Sequence, residues 1–152
     1  MQTKIIAGFP GVGKSFYHNL HKNTTLDSDS SKFSWIIEDG MKIRNPLFPY
    51  NYIQHIKENI GKCETIFVST HIDVRNALRD NCLFFYLLYP DIKRKEEFIR
   101  RFKDRGSDQS FIDLVSDNWN IWVNECMDFN YDGCIHIRMD EDIVDTMNDL
   151  VR

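Results

Sequence analysis

The chain lacks any apolar run long enough to cross a membrane: the longest, Leu83 to Tyr89, spans seven residues, against roughly 20 for a membrane helix. It also lacks the charged, apolar and small-residue regions of a secretory leader, since its first apolar run stops at Ala7 before a glycine loop. A cytoplasmic location is therefore expected. Cysteine is sparse, and Cys63, Cys82, Cys126 and Cys134 show no CxxC spacing. That argues for reduced thiols over a disulfide framework or a zinc site. Basic charge is not in excess: 19 Lys and Arg against 23 Asp and Glu leave -4 at pH 7. No global field attracts nucleic acid or an anionic membrane, so any polyanion site has to be local. What is present is an ordinary globular composition, 42% hydrophobic and 28% charged in 152 residues, which fits one folded domain and excludes disorder of the whole chain.

Strand-like and helix-like segments alternate. Thr3–Ala7 is a β-branched run ending in glycine, and Phe16, Tyr17 and Leu20 follow at helical spacing. Thr24–Asp27 reads as a second strand, and the polar run Ser28-Asp29-Ser30-Ser31 caps a predicted helix through Phe33, Trp35, Ile36 and Ile37. Tyr52, Ile53, Ile56 and Ile60 form one helical stripe closed by Gly61. Thr65–Ser69 is a strand, with Thr70 and Asp73 spaced as a capping box for the helix through Leu78. Cys82–Tyr89, apolar on both faces and stopped by Pro90, reads as a strand central in a parallel sheet. A long stripe from Phe111 through Trp119 and Trp122 to Cys126, a strand over Gly133–Arg138 and an acidic final helix complete the pattern. Five strands alternating with helices predict an α/β protein with a parallel doubly wound sheet, helices on both faces and ligands at the carboxyl ends of the strands.

Three of the seven glycines lie within Gly8-Phe9-Pro10-Gly11-Val12-Gly13-Lys14-Ser15, a complete GxxxxGK[ST] match placed between a predicted strand and a predicted helix. In that context consecutive backbone amides converge on phosphate oxygens, Lys14 neutralises phosphate charge and the Ser15 hydroxyl ligates magnesium. Gly8, Pro10, Gly11, Val12, Gly13, Lys14, Ser15 and Phe16 are the candidate nucleotide-binding residues. At this loop the chain resembles the P-loop kinases, specifically the small nucleoside monophosphate kinase-like group that includes phage-encoded nucleotide kinases, and the resemblance spans most of its length. It implies a P-loop NTPase three-layer sandwich over 1–152, an acceptor-binding segment at about 30–60 and a lid-like segment at about 91–107. For a phage-encoded protein the compartment is the host cytoplasm.

Three further segments bear on that resemblance. Asp27 and Asp29, at the end of the second strand, are candidates to orient Mg2+ or accept a proton, with alternation turning them the same way; Ser15 and Asp29 are the candidate metal ligands, and Asp27 stays open beside Asp29. Phe67-Val68-Ser69-Thr70-His71-Ile72-Asp73-Val74-Arg75 looks like the segment after the third strand of gluconate and related kinases, which makes Arg75 a candidate for the acceptor phosphate. Ser69 stands where many P-loop proteins carry a magnesium-holding aspartate. Asp91–Gly106 holds seven of the basic residues against four acidic ones, and the family places a lid there, with Arg101 and Arg105 the candidate lid arginines. The competing reading is a solvated helix laced by pairs such as Glu97 to Arg101. Lys32, Phe33, Trp35, Lys42 and Arg44 are weaker candidates for holding an acceptor. The expectation is an ATP- and Mg2+-dependent phosphotransferase acting on a nucleoside or deoxynucleoside monophosphate, a monomer or homodimer with no membrane or nucleic-acid partner. Alternatives are a kinase of another small acceptor such as a sugar acid, a nucleotide-responsive regulatory module, or a polynucleotide-end kinase. The absence of an NKxD motif argues against a GTPase, and a DGxPR segment is also lacking.

Overall fold

The computed structural model describes residues 2–150. β1 (Lys4–Gly8), β2 (Thr25–Asp27), β5 (Thr65–Val68), β6 (Phe85–Pro90) and β7 (Cys134–Met139) form one parallel sheet in the order β2-β5-β1-β6-β7. All four residues of β5 are buried, as are Ile5 to Gly8 of β1. Burial of successive residues means that both faces of the sheet are covered, the behaviour expected of β-branched, apolar parallel strands. The helices are α1 (Lys14–Leu20), α2 (Ser31–Ser34), α3 (Tyr50–Asn59), α4 (Ile72–Asp80), α5 (Lys95–Asp104), α6 (Gln109–Asp128) and α7 (Ile143–Leu150). The predicted α/β architecture with a five-stranded parallel sheet is therefore present. Because β1 lies between β5 and β6, its carboxyl end opens where the strand order changes direction, the place in such sheets where ligands bind.

The chain departs from the sequence expectation between β2 and α3. Trp35, Ile36 and Ile37 do not continue a helix. They form β3 (Trp35–Glu38), paired antiparallel with β4 (Met41–Arg44) in a separate two-stranded ribbon. Two causes act together. The run Trp-Ile-Ile favours extended backbone, and Asp39 and Gly40 both take positive φ, 52° and 75°, the geometry of the tight hairpin turn whose twist matches its strands. The ribbon is exposed on both faces, with Ile37 and Met41 in solvent. Other shifts are smaller. β6 starts at Phe85 because Cys82 has a positive φ of 55° and sits in a turn. His71, not Thr70, caps α4, its Nδ1 accepting from the Asp73 amide at 3.3 Å. All four cysteines are free, and no described helix is long and apolar enough to cross a membrane.

Candidate functional site

The loop joining β1 to α1 is held from below by its own side chains. Phe9 and Val12 are buried, and the Phe9 ring meets Phe98 of α5 and Trp119 of α6 edge-on, at centroid separations of 6.5 Å and 5.4 Å. Phe9 N–H donates to the Leu88 carbonyl of β6 at 2.9 Å, which ties the loop to the neighbouring strand. Gly11 has φ +85°, and a Cβ there would come within 2.8 Å of the Phe102 ring; only glycine allows both the conformation and the close approach. Pro10 and Gly13 complete the turn, and the amides opening α1 have no intrahelical acceptor. With seven residues, α1 adds little dipole of its own. The attraction for anions comes from side chains.

Lys14, Arg101 and Arg105 are the cations beside the loop. The Lys14 Nζ donates to the Gly8 carbonyl, and burial pushes its pKa down from 10.5 to about 8, against the pull of Asp27 and Asp29 and with a smaller push from Arg105. Lys14 lines two separate clefts. One, of about 270 Å3, is formed by Gly11, Gly13, Lys14, Ser15, Phe16, Arg101 and Arg105. The other, of about 380 Å3, runs from Gly8, Pro10 and Lys14 past Ser30, Ser69 and Thr70 to Arg75, Trp122 and Glu125. The first is strongly cationic and narrow; the second is larger and has apolar walls with hydroxyls. Ser15 Oγ donates to Asp27 Oδ2 at 2.9 Å, while Asp29 is exposed and uses Oδ1 to accept from the Ser31 amide at 2.9 Å. Asp27 is thus the carboxylate joined to Ser15, and Asp29 turns instead onto the amide that opens the short helix beside it. Ser15 and Asp27 together offer the hard oxygen ligands that suit Mg2+.

The arginines divide into two kinds. Arg101 donates from Nη1 to the Gly11 carbonyl at 2.9 Å and from Nη2 to Glu97 at 3.1 Å; Arg105 donates to Ser107 Oγ at 2.8 Å and lies over Phe102. Both face the narrow cleft. The helix that carries Arg101 and ends at Arg105 is seated, because Phe98 and Phe102 are fully buried against the loop. Swinging α5 away would expose two aromatic rings at roughly 1.5–3 kcal/mol each, so any closure belongs to the arginine side chains. Arg75 is different. It is 2% exposed, donates from Nε to the Thr70 carbonyl at 2.8 Å and from Nη1 to the Glu125 carbonyl at 3.4 Å, and stands 5.0 Å over Phe129. It braces α4 against α6 from the wall of the larger cleft.

Of the weaker candidates, Phe33 packs on Tyr52 and His55, Trp35 lies beneath Lys42 and Arg44, and Arg44 pairs with Asp73 at 3.0 Å. Only Ser30 of that region lines the larger cleft. The contribution of α6 was not foreseen. Trp122 belongs to its apolar stripe and reads as core, and nothing local marks Glu125; the spacing of residues 122, 125 and 126 is the only sequence signal that they share a face.

No family model matches the chain, and no curated protein matches it. Among solved structures, a crystal structure of an uncharacterized protein from Eubacterium ventriosum ATCC 27560 is similar over 99% of this chain and 96% of that one, at 17% identity and a TM-score of 0.48.

Proposed function

We propose that the protein is an ATP- and Mg2+-dependent phosphotransferase whose acceptor is a nucleoside or deoxynucleoside monophosphate. The observation that carries this reading is the position of Lys14 in the wall of both clefts. Phosphoryl transfer requires donor and acceptor to meet at one point of positive charge, with little covalent chemistry for the protein to perform. In this reading the narrow cleft takes the triphosphate, held by the loop amides, Lys14, Arg101 and Arg105. The larger cleft takes the acceptor. Ser15 and Asp27 would hold Mg2+, which supplies charge neutralisation on the donor phosphates; with Ser69 at the end of β5 there is no aspartate at that strand end to share the task. Lys14 and the two arginines stabilise charge on the transferred group, and the seated aromatic cluster under the loop keeps those donors in place.

Asp27→Asn is expected to raise the Mg2+ concentration for half-maximal rate by about tenfold, roughly the 1.4 kcal/mol lost with one charged ligand; titration of rate against Mg2+ checks it, and an unchanged half-point would remove Asp27 from the metal site. Arg101→Ala and Arg105→Ala are each expected to lower kcat by about 10- to 100-fold with a smaller change in ATP affinity, because charge on the phosphoryl group grows in the transition state. Unchanged kcat in both would remove the two arginines from the site. The reading as a whole is tested by ADP production from Mg-ATP across all ribo- and deoxynucleoside monophosphates, with gluconate, shikimate and oligonucleotides alongside. Stimulation by a monophosphate supports it. Stimulation by another acceptor only would reassign the larger cleft, and none at all would favour a regulatory nucleotide-binding module.

A further inference from the structure

The larger cleft contains a carboxylate that phosphate binding does not call for. Its α6 wall consists of Trp122, Glu125 and Cys126, one face of that helix. Glu125 is 49% exposed in its side chain, and its Oε2 lies 3.6 Å from Arg75 Nη2. Arg75 is fixed by the Thr70 carbonyl, the Glu125 carbonyl and the Phe129 ring, so a buried cation already faces Glu125 and cannot leave. Three consequences follow from that pairing. A cationic acceptor gains little, because the charge is already met. An anionic acceptor body, such as a sugar acid, finds no unpaired cation on this wall. Neutral N–H donors remain favoured, since an ionised carboxylate has about four acceptor positions and no donor. Trp122 adds an aromatic surface to the same wall, and Phe9, Pro10 and Ile72 add apolar surface elsewhere in the cleft beside Ser30, Ser69, Thr70 and His71, the mixture of apolar walls and placed polar groups that suits a small organic ligand.

We propose that Trp122 and Glu125 form the seat of an amino-bearing nucleobase of the acceptor, with the base N–H groups donating to the Glu125 carboxylate and Arg75 acting as the positioning residue that holds it. This rests on the reading of the larger cleft as the site of a nucleotide acceptor. Cytosine and adenine carry an exocyclic amino donor where uracil, thymine and hypoxanthine carry a carbonyl oxygen; the ring N–H that the oxo bases keep lies beside that oxygen, so a carboxylate accepting from it also meets an opposed lone pair, which the amino group avoids by donating its outer hydrogen. The seat therefore selects for the amino group and against its oxo counterpart.

The test compares CMP with UMP, dCMP with dTMP, and AMP with IMP. Each pair is measured as kcat/KM for transfer from Mg-ATP, and as equilibrium binding to the full-length protein loaded with a non-hydrolysable ATP analogue. Wild type is expected to favour the amino member by about 10- to 100-fold in at least one pair, the range set by one hydrogen bond to a charged group. Glu125→Gln, whose amide can donate as well as accept, should bring that ratio within about threefold, while Trp122→Leu should weaken both members of the pair together. Transfer that proceeds with no amino preference, or with a preference that Glu125→Gln leaves intact, would overturn the seat while leaving the phosphotransferase standing. Failure of every monophosphate both to bind and to accept phosphate would overturn both.

Discussion

Lys14→Met is expected to lower phosphoryl transfer by at least about a hundredfold while the protein stays folded. The loss follows from removing a preorganised donor at the point where two clefts meet, a change that typically costs 10²–10³ in rate. Retention of the fold follows from the same burial. The ammonium is desolvated, and its pKa is pushed from 10.5 to about 8, so the folded state bears a cost for keeping it charged that methionine removes. The pH dependence of that cost has a definite sign. Below about pH 8 both folded and unfolded chains hold the proton, and the cost is present in full. Between about 8 and 10.5 the unfolded chain still holds a proton that the native chain has released, so the stability of wild type rises with pH relative to the methionine variant. Thermal or denaturant unfolding of the pair from pH 7 to 10 checks this; a difference that stays flat would mean that Lys14 is solvated. Under the proposed function the rate is expected to move the opposite way, with kcat/KM falling as free Lys14 loses that proton above about pH 8.

Gly11→Ala is expected to damage both stability and nucleotide binding. The new methyl group would sit within 2.8 Å of the Phe102 ring, itself fully buried, at a φ of +85° that residues with a Cβ rarely adopt. Overpacking and backbone strain each cost about 1–3 kcal/mol, which together lower the melting temperature by roughly 4–24 °C for a domain of this size. The consequence for function is local, because Gly11 carries the carbonyl that Arg101 grips and borders the cleft assigned to the triphosphate. ATP affinity should fall with stability. Gly40→Ala provides the control: its φ is +75°, but nothing lies within 4 Å of the added methyl. A similar loss in both variants would show that conformational strain alone is at work; loss of ATP affinity confined to Gly11→Ala would show that the contact with α5 shapes the site.

The two variants also mark how far the sequence could be read. The loop, its strand and its helix are contiguous, so the spacing of Gly8, Gly13, Lys14 and Ser15 locates the loop of the proposed phosphate site directly. The parallel sheet is legible for a similar reason: Ile66, Phe67 and Val68 have no polar face, and a strand of that kind has to be covered on both sides. The hairpin is hidden in the sequence because Phe33, Trp35, Ile36 and Ile37 satisfy a helical count, although Asp39-Gly40 carries the turn signal. Arg75 shows a different limit. As a serine-to-arginine spacing after β5 it reads as an acceptor-binding residue, but its partners are the Thr70 carbonyl and Glu125, fifty residues away on α6. Long-range packing decides whether such an arginine grips a ligand or braces a wall, and no local pattern encodes it. The same holds for Asp27 and Asp29. Alternation turns them together, yet Ser15 takes one and the Ser31 amide takes the other.

The central claim is that Lys14 joins a donor cleft to an acceptor cleft, and the most direct measurement follows the phosphoryl group itself. ATP labelled in its γ-phosphate is incubated with Mg2+, a nucleoside monophosphate and the protein, and the labelled products are separated. The account predicts that the label appears in the nucleoside diphosphate, that inorganic phosphate stays minor, and that Lys14→Met abolishes the transfer. Label found only in inorganic phosphate, or transfer that survives in Lys14→Met, would contradict it.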